Sequence, residues 1–369
     1  MSEELLSKLK RYEEVVSFSS VVNSSLEFSN IVKLARKEIK KIFKAGHICL
    51  YRAEQNGTLL KSIGDSTYEY THKNSVHNFV GACAHYASIL HIQDISGDIR
   101  YLRESEHIKT LAPKEMMLAP LFTKGELLGV IQVIGGKDQN FTKLDIDLLE
   151  VIESHLTLAM HNAILFEKLN SNFFQVCETL GDAIVKKDIY TGGHTKRVCH
   201  FTEMIAAEMD LDTNEKRNLQ LAAILHDIGK IGIEDSILKK AAPLTDKEFS
   251  IMKEHPRLGY EILGHIEGLK DVVAGIRYHH ERPDGKGYPY GLTGDKIPLA
   301  AKIISVADTF DAMISTRPYR KGLPPMQAYE EIIKYSGKQF DSKVVEAFVR
   351  AFEKTPMFRP TEKNIKEAI

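Results

Sequence analysis

His279-His280-Glu281-Arg282-Pro283-Asp284-Gly285-Lys286-Gly287-Tyr288-Pro289 runs two adjacent imidazoles into a loop stiffened by two prolines and loosened by two glycines. Each imidazole brings a donor and an acceptor that must be satisfied once buried, so a histidine pair is costly to place without a use. Upstream stands His226-Asp227, and downstream stands Asp308. Read with these, the segment becomes one third of a metal site.

Working outward, the second half of the chain offers seven candidate ligands: His194, His226, Asp227, His255, His279, His280 and Asp308. All fall at the ends of predicted helices. Imidazole together with carboxylate suits borderline first-row metals such as Fe, Mn, Co, Ni or Zn, whereas Ca or Mg would want mostly oxygen. The set is too large for one tetrahedral ion. With one bridging carboxylate it would serve two ions and still leave open positions for water and substrate. Asp227 is the natural bridge, because its two oxygens can face two ions. Taken singly, each histidine serves equally well as a surface or core residue, and spacing alone leaves both readings open.

Composition bounds the rest. At 369 residues the chain is long enough for two domains, each with its own core. Charged residues make up 27% and net to −1, so bulk charge points neither to a nucleic acid polymer nor to an acidic membrane surface. Cys49, Cys83, Cys177 and Cys199 are scattered with no CxxC pair, the pattern of reduced thiols in a cytoplasmic protein. The first residues have no apolar stretch of signal-peptide length, and no run is long enough to span a bilayer.

The first half reads as mixed α/β. Apolar spacing predicts a helix from about Leu26 to Phe43. Strands are expected at His47 to Arg52 and Leu59 to Ser62 around Asn56-Gly57, a favoured hairpin dipeptide. A second hairpin is expected at Met116 to Thr123 and Leu127 to Ile134, with short helices near Phe79 to Ser88 and Glu104 to Leu111. A long helix should begin after Thr142, with Asp145 completing a cap. Its apolar positions Leu148, Ile152, Leu156, Ala159, Ala163, Phe166, Leu169, Phe173, Val176 and Leu180 step by threes and fours, as in a coiled-coil seam. This predicts an interdomain connector that pairs with its copy in a homodimer. Beyond Leu180 the pattern is all-helical, with segments at Arg197 to Met209, Thr213 to Asp227, Thr245 to Glu254, Pro256 to Ile266, Lys270 to His280, Ala300 to Ser315, Pro325 to Tyr335 and Asp341 to Glu353.

Residues 180–355 resemble an HD-GYP domain, a branch of the HD phosphohydrolase superfamily. The matching text includes Thr191-Gly-Gly-His194, Leu225-His226-Asp227-Ile-Gly-Lys230, His255-Pro256, His279-His280-Glu281 with Asp284-Gly-Lys-Gly287-Tyr288-Pro289, and Val306-Ala-Asp308-Thr-Phe-Asp311 before Arg317-Pro-Tyr-Arg320. The resemblance implies hydrolysis of the bacterial second messenger cyclic di-GMP to linear pGpG, and onward to GMP in some members. It implies two transition-metal ions, iron first and manganese or another divalent metal as the alternative. His194, His226, Asp227 and Asp308 would bind one ion, and Asp227, His255, His279 and His280 the other. A hydroxide bridging the two would be the nucleophile. Lys230 would neutralise phosphate charge or assist the leaving oxygen. Gly287 and Tyr288 would form a pocket wall, the glycine letting backbone approach the ligand. Asp311, Arg317 and Arg320 complete the expected substrate-binding set, with salt bridges from the arginines to Asp311 or Asp284 as the alternative. Some members carry a glutamate four residues before the first histidine, holding a third metal. Here that position is Tyr190, and a two-metal site is expected.

Residues from about 25 to 165 resemble a GAF domain, on the hairpin Gly125 to Ile134 followed by Phe141-Thr142 and Asp145 before a helix. The resemblance implies a central antiparallel sheet with helices on one face, and a small-molecule ligand or dimerisation role. The chain thus divides into an N-terminal helix (1–24), a GAF sensor (25–165), a connector helix (143–180) and an HD-GYP domain (181–369). Three readings compete: a GAF-regulated phosphodiesterase acting on cyclic di-GMP or a hybrid cyclic GMP–AMP, a catalytically silent binding or interaction module, and another HD-superfamily hydrolysis. The complete ligand set disfavours the second, and the Tyr288 loop with its arginine arm disfavours the third.

Overall fold

The structure is a computed structural model that describes residues 3–54, 59–63, 71–72, 76–103, 112–137, 139–187, 193–316 and 321–355. It divides into two compact units, Met1–Asn170 and Ser171–Ile369.

The first unit is built on a six-stranded sheet. Its strands are β1 (His47–Glu54), β2 (Leu59–Ser62), β3 (Thr71–His72), β4 (Leu90–Ile92), β5 (Met116–Thr123) and β6 (Glu126–Ile134), in the order β3-β2-β1-β6-β5-β4. Every pairing is antiparallel. Side chains alternate faces along a strand, and here both faces are buried. Ile48 and Leu50, Met117 and Ala119, and Ile131 and Val133 pack on one side with α1 (Glu3–Val22), α2 (Phe28–Phe43) and the start of the helix Lys143–Lys187. Cys49 and Tyr51, Met116 and Leu118, and Val130 and Ile134 pack on the other with α3 (Phe79–Tyr86). The expectation of helices on one face is therefore corrected. A strand with apolar residues on both faces reads as a continuous run, and such a run does not say which elements cover it. The N-terminal helix is also part of this core, through Val15, Phe18 and Val22. The helix expected at 104–111 lies outside the described residues.

The helix α4 (Lys143–Lys187) is 45 residues long, and the division between the units falls within it. Thr142 and Asp145 cap it reciprocally: the Thr142 N–H donates to the Asp145 carboxylate at 2.6 Å and the Asp145 N–H donates to Thr142 Oγ1 at 3.3 Å. Arg11 of α1 adds a 2.6 Å ion pair to the same carboxylate. The apolar seam read from the sequence splits in two. Leu148, Ile152, Leu156, Ala159 and Ala163 are spent on the first unit's own core. Phe166, Leu169, Val176 and Leu180 are 40–66% exposed.

The second unit is helical: α5 (His194–Ala207), α6 (Thr213–Leu225), α7 (Asp235–Leu238), α8 (Asp246–Met252), α9 (His255–Leu263), α10 (Lys270–Tyr278), α11 (Leu299–Ile314), α12 (Pro325–Lys334) and α13 (Ser342–Lys354), with short 3-10 turns between. Capping boxes start α6, at Asp212 with Glu215, and α8, at Thr245 with Glu248. Each satisfies backbone donors that a helix start leaves open. Ala222, Ile276, Ile304, Val306 and Phe310 form the centre of a core completed by Phe201, Phe348 and Phe352 around the Phe310 ring. With α6, α10 and α11 locked by this core, their ends converge on one place.

Candidate metal centre and substrate pocket

Each candidate ligand is delivered by a helix end or an inward helix face. His194 opens α5, His226 and Asp227 follow α6, His255 opens α9, His279 and His280 follow α10, and Asp308 lies within α11. Gly229 makes the meeting possible: any side chain there would collide with the backbone carbonyl of His255 and the amide of Gly259. The turn Ile228–Gly232 therefore packs backbone to backbone against α9, which brings Asp227 beside His255.

Two clusters result. The ligand atoms of His194, His226 and Asp308 lie within 4.8 Å of one another, and so do those of His255, His279 and His280. Asp227 stands between them. Its Oδ2 is 3.4 Å from His226 Nε2 and 3.8 Å from His194 Nε2, while its Oδ1 is 3.4 Å from His255 Nε2. One oxygen faces each cluster.

Hydrogen bonds behind the rings aim them. The Nδ1 atoms of His226, His255 and His279 donate to the carbonyls of Ala223, Met252 and Ile276, at 2.8, 2.8 and 2.7 Å. A carbonyl can only accept, so each Nδ1 carries a proton and each ring turns its Nε2 to the site. His194 Nδ1 is held instead by Asp311 Oδ2 at 2.7 Å. Arg197 in turn grips Asp311, its Nε at 2.5 Å from Oδ1.

The donor set fits cations. His255 Nε2 and His279 Nε2 face each other at 3.3 Å, an arrangement of two lone pairs that needs a positive charge beside it. His226 Nε2 is buried and makes no hydrogen bond among the described residues. The Asp227 carboxylate at 3.4 Å is its charged neighbour, and a metal ion held by both would satisfy the buried nitrogen.

Charge differs between the clusters. Burial would lower the His226 pKa, but the carboxylates of Asp227 and Asp308 override it and hold it up at about 9. His255 is brought down to about 3 by burial, with the His279 and Lys230 charges adding to it against the pull of Asp227. Burial and the neighbouring histidines also push His279 and His280 well below the usual range. Asp227 stays ionised despite burial, because Lys230, His226 and His255 hold its carboxyl low.

The centre opens into a cavity of about 790 Å³ whose floor includes His194, Asp227, Lys230, His255, His280 and Asp308. Lys230 lies on the 3-10 turn rather than on a helix, and its Nζ bonds Asp227 Oδ2 at 2.7 Å. Tyr288 lines the cavity and packs on the His280 ring, centroids 4.6 Å apart. Burial and the Asp308 and Asp227 charges raise its pKa, so it is a neutral phenol.

Two residues expected to contact substrate are turned elsewhere in the structure. Asp311 is 1% exposed and turned to His194 and Arg197, so it backs a candidate ligand. Gly287 is packed against its own loop, where a Cβ would come within 2.5 Å of Arg282 N and Glu281 Cα. Its missing side chain allows the loop to fold onto itself, not backbone to approach a ligand. Arg317, Arg320 and Tyr190 lie outside the described residues. Sequence reasoning missed Glu281, which is 2% exposed and accepts the Tyr290 and Leu292 amides at 2.7 and 2.9 Å. An acid directly after the histidine pair was the available signal. It also missed the apolar wall of Ile237, Leu238, Ala242, Pro243, Leu244, Phe249 and Met252, which had no motif to announce it.

Such a constellation, on helices converging around paired histidine and aspartate residues, is a candidate metal centre. The family model of the HD domain matches residues 178–344, and that of the GAF domain residues 27–160. The similarity to the HD domain thus falls on the second unit and the similarity to the GAF domain on the first. It is 43% identical over 187 residues to a cyclic di-GMP phosphodiesterase of Thermotoga maritima, covering 50% of this chain and 51% of that one. It is 41% identical over 173 residues to a cyclic di-GMP phosphodiesterase response regulator of Xanthomonas campestris, covering 46% of each. A 3'3'-cGAMP-specific phosphodiesterase of Vibrio cholerae is 33% identical over 241 residues, covering 64% of this chain and 46% of its own. The chain spans about half the length of these relatives. No helix among the described residues is long and apolar enough to cross a membrane.

Proposed function

We propose that this chain is a GAF-regulated phosphodiesterase that opens cyclic di-GMP to linear pGpG, with further cutting to GMP as the alternative end product. The observation that carries the reading is the pair of ligand clusters joined by Asp227, one oxygen toward each. Two transition-metal ions, iron first, would be held by His194, His226, Asp227 and Asp308 and by Asp227, His255, His279 and His280. When bound, they would supply Lewis acidity and a water of lowered pKa. The chain's own part is orientation. Asp311 and three backbone carbonyls hold the imidazoles on their Nε2 faces. Lys230 brings a positive charge beside Asp227, where it would meet phosphate or the departing oxygen. Gly287, through loop folding, sets Tyr288 on the pocket wall, with Arg317 and Arg320 as further anion contacts.

The similarity to a 3'3'-cGAMP-specific enzyme supports a second substrate, the hybrid cyclic GMP–AMP. The exposed stripe Phe166, Leu169, Val176 and Leu180 on α4 supports a homodimer through that helix. The scattered cysteines, with no CxxC pair in the sequence, support a reducing, cytoplasmic setting. The deciding experiment is metal analysis of anaerobically purified protein, paired with product identification on both cyclic dinucleotides. About two metals per chain and linear product are expected. Metal-replete protein that leaves both substrates intact would sink the enzymatic reading.

A further inference from the structure

A cyclic dinucleotide carries two phosphodiesters, and cutting one leaves the other in the pocket with its charge. That second charge would lie along a wall made largely of Ile237, Leu238, Leu244, Phe249 and Met252, where an unpaired anion is costly to desolvate. A cation is needed there. Lys230 is committed to Asp227 at 2.7 Å and Lys240 to Glu248 at 2.6 Å. The third lysine near the cavity is Lys253, which follows α8. Its ammonium stands 4.6 Å from the Phe249 ring centroid and 5.5 Å from that of Tyr288, two rings that line the cavity. Among the described residues it has no carboxylate partner, and the adjacent Glu254 is taken by Arg257 at 2.5 Å.

We propose that Lys253 is the cation that binds the uncleaved phosphodiester of the cyclic dinucleotide, a role that rests on the substrate reading above. Aromatic faces hold an ammonium in place without neutralising its charge, which leaves Lys253 ordered and available to an anion. Tyr288 is a neighbour of both the Lys253 ammonium, 5.5 Å from its ring centroid, and the candidate ligand His280, whose ring centroid is 4.6 Å away. That places it beside the metal centre but not in it, as an anchor for a second phosphate requires. Phe249, 46% exposed at the same rim, offers a face on which a base would stack.

The test compares Lys253→Gln and Lys253→Arg with wild type on two substrates. One is cyclic di-GMP, and the other is bis(p-nitrophenyl) phosphate, a phosphodiester with a single charge. The ratio of kcat/KM on the first to kcat/KM on the second should fall about tenfold in Lys253→Gln, mainly through KM, with Lys253→Arg restoring most of it. An unchanged ratio in Lys253→Gln, with wild type active on both, overturns the role of Lys253 alone. Wild type that cuts bis(p-nitrophenyl) phosphate but no cyclic dinucleotide overturns the substrate reading and this inference with it.

Discussion

The two ligand clusters differ in charge more than in geometry. One is three imidazoles, His255, His279 and His280, with pKa values pushed down by burial and by one another. The other mixes two imidazoles with Asp308 and is backed by a second acid, Asp311, and there the charges of Asp227 and Asp308 push His226 the opposite way against its burial. A cation would enter the first against no net negative charge except that of Asp227. The second is already electronegative. The contrast teaches that Asp227 is the hinge of the site: it is the one carboxylate that serves the neutral cluster, and one of two that serve the charged cluster.

Asp227→Ala should therefore produce the largest effect. Metal content measured by mass spectrometry should fall from about two per chain to well under one. Activity should drop on the order of a thousandfold or more. Retention of one tightly held metal would show that the charged cluster stands without the bridge. Next come His280→Ala and Asp308→Ala, each of which strips a ligand from one cluster only. Each should leave about one metal per chain and cost on the order of a hundredfold in kcat/KM. If either lost both ions, the clusters would not be separable.

Asp311→Asn acts one bond further out. Removing its charge behind His194 should weaken the charged cluster's metal by about 10-fold to 100-fold, read by chelator competition, and leave the imidazole cluster's affinity alone. Glu281→Gln tests the loop rather than the ligands. Its charge-assisted bonds to two amides should weaken, costing about 1–3 kcal/mol in urea unfolding, and the KM should rise as Tyr288 loses its support. Unaltered stability would mean that the loop is held by its other contacts.

Glu248→Gln should have the smallest effect and spare both clusters. Hydrogen bonds from Lys240 and from Thr245 hold Glu248 down to about 2 from its ordinary 4.5. A lowered carboxylate pKa stabilises the folded state above pH 4.5 and loses that contribution as pH falls toward 2. The Tm difference between wild type and Glu248→Gln should accordingly be largest near neutral pH and shrink by pH 3, with metal content the same in both.

Much of this was legible in the chain. Helices in the second half were readable because their apolar periodicity matches one buried stripe. The hairpin at Met116 to Ile134 was readable for the same kind of reason. Periodicity was weaker as a guide on α4. There it could not distinguish Leu148 and Ile152, buried in the first unit, from Leu169 and Val176, which face outward. An apolar residue carries no mark of which surface will cover it. Asp311 and Gly287 show the same limit within the site. Their residue types suited substrate contact, but burial turned one toward His194 and the other onto its own loop.

By itself, the sequence determined the donor inventory, the order of helices that carries it, and the class of chemistry, because these depend on residue type and short-range spacing. Tertiary structure decided how that inventory is divided. Which imidazoles share a cluster, which oxygen of Asp227 faces which, and which lysine is left without a carboxylate all depend on where helix ends meet. That meeting is set by the packing of Ala222, Ile276 and Phe310 and by the backbone contact that Gly229 permits, interactions between residues far apart in the chain.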